Sequence, residues 1–229
     1  MIPYESEGVI KTQGNIVCPH CNLEIETQKP KIILQKPKLL IVEGKDDECF
    51  FCALIDYLKI EDIQVAGAGG KNQIRGQLQA IVKDDDFNKV TSLGVIRDAN
   101  NNPDDAFKSV INALKAAGLT APKRPFIAID GSPKVAVMII PSHKRNGALE
   151  DLCLDAIADN PAFNCVNEYF VCLENRNIDP PKEISKAKVH VFLSSRKDPA
   201  LPLGISAQKG FWPLDHKAFE NVKKFLQSL

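Results

Sequence analysis

Apolar positions along this chain fall into two kinds of run. KLLIVEG (38–44), DIQVAGAGG (62–70) and VTSLGVIRDANN (90–101) are short apolar stretches that end in glycine or polar residues. Their length suits strands buried on both faces. Between them, apolar side chains recur every three or four positions, the spacing of one helix face. The first such stretch, from about Asp46 to Lys59, opens with acids, which the positive end of a helix dipole favours. The second is NQIRGQLQAIVK (72–83), with Asn72 as its expected cap. The third runs from Pro103 to Ala117, with proline at its start and Gly118 after its end.

Strand and helix alternating three times predict parallel pairing through right-handed crossovers. RPFIAIDGSPKVAVMIIP (124–141) then predicts two more strands joined by a turn at DGSP. The last third is largely helical: ALEDLCLDAIA, PAFNCVNEYFVCLEN, EISKAKVHVFLSS and DHKAFENVKKFLQSL follow the helical period. The expected fold class is α/β. It is a Rossmann-like sheet of about four mainly parallel strands flanked by helices, with a helical C-terminal region. Residues 1–37 stand apart. They hold CPHC and the lysine–proline stretch QKPKIILQKPK, which predict a small knuckle and a linker before a domain over 38–229.

Composition narrows the partners more than the fold. Lys plus Arg and Asp plus Glu both total 29, so the net charge is zero, and a nucleic-acid site has to be a local patch. No apolar run approaches the length of a membrane span, and MIPYESEGVIKTQGN lacks the apolar stretch of a signal peptide. Seven cysteines, an odd number in a chain of this size, predict a reducing, cytoplasmic setting rather than a disulfide scaffold.

The chemistry concentrates at the strand ends. Ligands of an open parallel sheet bind beyond the carboxyl ends of its strands. There the first strand delivers Glu43, the second Gly67, Gly69 and Gly70, and the third Asp98 and Asn100. Two carboxylates over one crevice suit a hard cation such as Mg²⁺ or Mn²⁺, which needs few protein acids and keeps several waters. Glu43 could equally cap the first helix or pair with a lysine. Lys45 and Lys71 follow the first two strands on the same edge, where they could clamp a phosphate or lie on a solvated surface. His143, Lys144 and Arg145 precede Glu150 and Asp151, two acids that open a later helix.

"LLIVEGKDD", "LGVIRDAN" and the βαβ spacing between them resemble the Toprim domain of topoisomerases, bacterial primases, recombination mediators and nucleases of the overcoming-lysogenization-defect type. "GAGGKNQI", "GALEDL" and "GFWPLDHKAFENVKKFL" are similar to segments of a poorly characterised Toprim-like branch, so the resemblance covers roughly residues 38–229. It implies a metal glutamate at Glu43 and an Asp-x-Asp pair at Asp98 and Asn100, the second acid being an asparagine here. It also implies a metal role for Glu150. Asparagine can offer a carbonyl oxygen but no charge. In this reading Glu43 is ligand or general acid/base, and Lys45 or Lys71 the phosphate clamp.

Two functions follow. One is a Mg²⁺-dependent nuclease or phosphotransferase acting on nucleic acid. The other is a non-catalytic module with a degenerate metal site that binds nucleic acid or protein. The related nucleases commonly carry an ATPase domain, and no GxxxxGK[ST] occurs in this sequence, so an ATPase would be a separate partner. CPHC gives Cys18 and Cys21 as half of a zinc site, whereas Cys49, Cys52, Cys153, Cys165 and Cys172 sit at helical core spacing.

Overall fold

A computed structural model describes residues 32–229, together with Lys11–Thr12, Asn15–Val17 and Glu24–Glu26. The chain divides into two compact units, Met1–Ile33 and Leu34–Leu229. In the first, strands β1 (Lys11–Thr12), β2 (Asn15–Val17) and β3 (Glu24–Glu26) form an antiparallel sheet in that order. Cys18 and Cys21 lie outside the described residues.

In the second unit, β4 (Lys38–Val42), β5 (Ile63–Gly67), β6 (Ser92–Asp98) and β7 (Lys134–Ile140) form a four-stranded sheet. All three pairings are parallel, in the order β5-β4-β6-β7. The fold class is therefore α/β. The connections are α1 (Lys45–Tyr57), α2 (Ile74–Ile81) and α3 (Pro103–Ala116). The chain steps from β4 outward to β5, then crosses back to β6 on the other side of β4. Right-handed crossovers put helices of opposite-going connections on opposite faces, and α2 and α3 accordingly pack together.

Alternation along the strands feeds two cores. Leu40, Val42, Ile96, Ala136, Met138 and Ile140 join the larger one, with α1 and the C-terminal helices. Those helices are α4 (Leu149–Ala156), α5 (Pro161–Glu174), α6 (Ile184–Ser194), α7 (Leu203–Gln208) and α8 (Glu220–Ser228). Leu39, Ile41, Leu93, Val95, Val135, Val137 and Ile139 are equally buried, and by strand alternation they face α2 and α3. Two glycines set packing distances in the larger core. A Cβ on Gly94 would lie 2.8 Å from a methyl of Leu229. One on Gly204 would overlap the Asp46 carbonyl oxygen and lie 2.7 Å from Cys49 Cβ, so α1 and α7 meet backbone to backbone. Asp46 Oδ1 accepts the Gly204 N–H at 2.6 Å and so caps α7 from α1.

Three sequence expectations need correction. Asn72 does not cap the second helix. It lies inside a 3-10 turn, Lys71–Gln73, and α2 begins at Ile74 behind Gln73, whose side chain makes no capping bond. Residues 124–133 are not a strand. They touch β7 through the Phe126 N–H to Val137 bond (2.8 Å) and an Ile129–Val135 bridge. Phe126 has a φ of 69° there, a left-handed value that interrupts an extended chain, and its ring packs edge-on against Phe225. Cys165 and Cys172 are exposed rather than core, because α5 buries only Val166 and packs outermost against α6. Cys153 is buried as expected, and Cys49 and Cys52 are half-buried on α1.

Candidate metal and phosphate site

The strand order reverses direction between β4 and β6, and the crevice at that switch point is the usual ligand position of such sheets. Glu43 leaves β4 there and Asp98 ends β6. Glu43 Oε1 accepts the Asp98 backbone N–H at 3.3 Å and lies 3.5 Å from Arg97 Nε. Both side chains of that ion pair are 13% exposed. The separation is in ion-pair range, but Arg97 Nε makes no hydrogen bond and is buried. Burial raises the Glu43 carboxyl above its ordinary range, against the pull of Arg97, the Asp98 N–H and Lys71.

Asp98 is held by α4. Its Oδ1 accepts the N–H of Leu149, the first residue of α4, at 3.2 Å. Burial, then repulsion by Asp47, Glu43 and Glu150, holds its carboxyl well above the usual range. Asp47, in the first turn of α1, accepts the Gly44 N–H at 2.9 Å. It is pushed up to about 6 by burial, with Glu43 and Glu150 adding to the effect against the Gly44 N–H. Four carboxylates from three segments thus press on one another. Among the described residues, three or more His, Cys, Asp or Glu side chains do not close into a ready metal cage. The acids share one electrostatic field.

A cavity of about 610 Å³ opens beside them, lined by Lys71, Asp98, Asn100, Glu150, Asp151 and Lys186 among others. Asp151 accepts the Ala148 N–H at 2.8 Å and the Ser185 hydroxyl at 2.6 Å, which ties α4 to α6. Lys186 pairs with Glu183 at 3.2 Å, and that bond raises its pKa against burial, with Glu150 and Asp98 adding attraction. Asn100 is exposed at a φ of 49°, a conformation asparagine tolerates well. Its backbone exchanges two hydrogen bonds with Gly147, of 2.7 and 2.8 Å, closing the cavity rim. Gly147 sits at a φ of 130°, and a Cβ there would come 2.6 Å from Asp151 Oδ2, so glycine is needed on both counts.

Of the expected site residues, Glu43 and Asp98 meet at the switch point, and Asp98, Asn100, Glu150 and Lys71 share the cavity. Lys45 does not join them: its side chain is exposed and pairs with Glu48 at 2.9 Å. Arg145 turns to Asp155 at 2.5 and 3.2 Å, and Lys144 is exposed. Sequence reasoning missed Asp47, Lys182, Ser185 and Lys186. Asp47 was visible only as one of several first-turn acids. Lys182 and Lys186 reach the cavity from a segment whose proximity to β6 nothing in the local pattern announces.

The chain belongs to the family described as protein of unknown function DUF3226, whose model matches residues 37–229. No curated protein matches the sequence. Two solved structures similar to it are of the C-terminal region of the Xanthomonas campestris pv. campestris OLD protein, phased with iodine and with mercury. The first has a TM-score of 0.45 at 12% identity, over 86% of this chain and 96% of that one. The second has a TM-score of 0.42 at 14% identity, over 84% and 99%. Likenesses this remote carry no chemistry from one chain to the other. Among the described residues, no helix is long and apolar enough to cross a membrane.

Proposed function

We propose that this member of the DUF3226 family is a Toprim-like protein that holds Mg²⁺ or Mn²⁺ at the β4–β6 switch point and acts as a nuclease or phosphotransferase on nucleic acid. The observation that carries this reading is the convergence of Glu43, Asp47, Asp98 and Glu150, where burial first and mutual repulsion second raise Asp98 and Asp47. Such a set lacks positive charge, and it offers only oxygen donors, the donor type that hard divalent cations take. The donor chemistry therefore fits, while the side chains would have to draw together around the ion, since among the described residues no three of them form a cage. Asp98, Glu150 and Glu43 would hold the ion, with the Asn100 carbonyl oxygen as a neutral fourth donor.

A bound divalent ion would supply neutralisation of the charge that spreads over a phosphoryl group during transfer. The protein's own residues do the rest. The Leu149 N–H fixes the Asp98 carboxylate, leaving Oδ2 for the cavity. Lys71 and Lys186 bring ammonium groups to the same cavity and clamp a phosphate there. Glu43, raised by burial, is suited to take or return a proton once it is released from Arg97.

The second reading, a non-catalytic binding module, is favoured by two observations. Asn100 stands where the resemblance expects an acid, and Arg97 already neutralises Glu43. Calorimetric titration of Mn²⁺ into wild type, Glu43→Gln and Asp98→Asn decides between them, alongside cleavage assays on single- and double-stranded DNA and RNA. Binding and cleavage in wild type, both lost in the variants, are expected. No Mn²⁺ binding and no cleavage by wild type would leave the binding module.

A further inference from the structure

Lys71 belongs to two cavities. Besides the acidic one, it lines a space of about 440 Å³ between α2 and α3, together with Arg75, Arg97, Asp105, Lys108 and Asn112 among others. Four of those residues are cations and one is an acid, in a chain whose net charge is zero. The acid is weakly engaged: Asp105 lies 3.7 Å from Lys108, and both side chains are well exposed. Among the described residues, Lys71 and Arg75 form no ion pair and no side-chain hydrogen bond. Arg97 walls the cavity from the sheet, with its Nε held 3.5 Å from Glu43 Oε1.

We infer that this cavity is a second phosphate seat, which holds the backbone phosphate of a nucleic-acid strand next to the phosphate at the acidic cavity. The inference rests on the proposed function and supplies its substrate contact. Arginine forks match phosphate oxygens, and Arg75 brings one to this space beside the ammonium groups of Lys71 and Lys108, with Arg97 behind them in its pair with Glu43. The two cavities adjoin at Lys71, so together they accommodate charges repeated along a chain rather than one isolated anion. The seat also suggests how a neutral protein would hold a polyanion: four cations and one acid make this groove locally positive.

The test is oligonucleotide affinity, read by fluorescence anisotropy with labelled dT12 in EDTA at several salt concentrations. The double variant Arg75→Gln, Lys108→Gln is compared with a control carrying the same charge change elsewhere, Lys197→Gln, Lys209→Gln. All four positions are exposed, so both variants fold. The first pair is expected to weaken binding about tenfold or more and to flatten the log–log salt slope by about 1.4, roughly 0.7 per lost phosphate contact. The control is expected to bind as wild type. Equal behaviour of the two variants overturns the seat, and so does a wild type that does not bind dT12. If pyrophosphate binds as tightly as dT12, the seat takes small diphosphates and the strand assignment falls. The assay contains no divalent ion, so failure of the metal reading shows separately, as absent Mn²⁺ binding in the calorimeter.

Discussion

Oε1 of Glu43 accepts the backbone N–H of Asp98 at 3.3 Å, across a sequence separation of 55 residues. The contact joins the ends of β4 and β6 and brings one acid beside the start of another's backbone. Glu43→Gln keeps an acceptor for that N–H while removing a charge. Chemical denaturation is expected to place the variant within about 1 kcal/mol of wild type without metal. Mn²⁺ affinity is expected to fall by about tenfold or more, since a lost charge on a metal ligand is costly.

Arg97 competes with any cation for Glu43. In Arg97→Gln the pair is broken and a half-buried carboxylate is left alone, which costs about 1–3 kcal/mol without metal, discounted from fully buried pairs. Saturating Mn²⁺ is expected to restore most of that loss, and calorimetry to show tighter Mn²⁺ binding than in wild type. A variant equally destabilised with and without Mn²⁺ would show that Glu43 does not face the ion.

Asn100→Asp adds the missing charge at a position whose φ of 49° aspartate also tolerates. The substitution is expected to tighten Mn²⁺ binding by about tenfold, one unit of charge at close range in a screened site. Melting temperature without metal is expected to drop slightly, because another carboxylate enters an already repulsive cluster.

Stability should depend on pH through Asp47. Its ordinary value is 3.8 and its folded value about 6, so the folded protein holds the proton more tightly. Stability therefore rises as pH falls through 6 and is lower above it. Asp47→Asn is expected to reduce this dependence, with Asp98 and Glu43 supplying the remainder, and to stabilise the metal-free protein at pH 8 by about 1–3 kcal/mol, measured by urea denaturation. Mn²⁺ is expected to stabilise wild type more at pH 8 than at pH 5, because ligands must be deprotonated.

The parts of the fold that were legible in sequence are those set by local pattern. β4, β6, α1 and α3 follow from apolar runs and from end signals such as Pro103 and Gly118. The departures came where a tertiary contact overrode the pattern. Phe126 gives up an extended chain to reach Phe225, and the chain enters α2 through a 3-10 turn at Lys71 rather than through a side-chain cap. Glu43 and Asp98 were readable because strand ends of a parallel sheet share an edge. Their engagement by Arg97 and Leu149 was not, because it depends on which sheet face each side chain takes and on where α4 docks.

Gly204→Ala tests the packing that supports this edge. Its added methyl meets backbone and Cys49 Cβ rather than a flexible side-chain tip. A loss of about 1–3 kcal/mol in urea denaturation is expected, with α1 displaced and Mn²⁺ binding weakened in parallel.

The hydrogen bond from Gly204 to Asp46 spans 158 residues of chain. Closing so long a loop is entropically slow, and contacts this distant in sequence delay the rate-limiting encounter in refolding. During synthesis the helix that follows Glu43 emerges well before α7, and its apolar side stays uncovered until that later segment is made. The cover of α1, and with it the footing of the Glu43 edge, is thus completed only when the chain has been translated as far as α7.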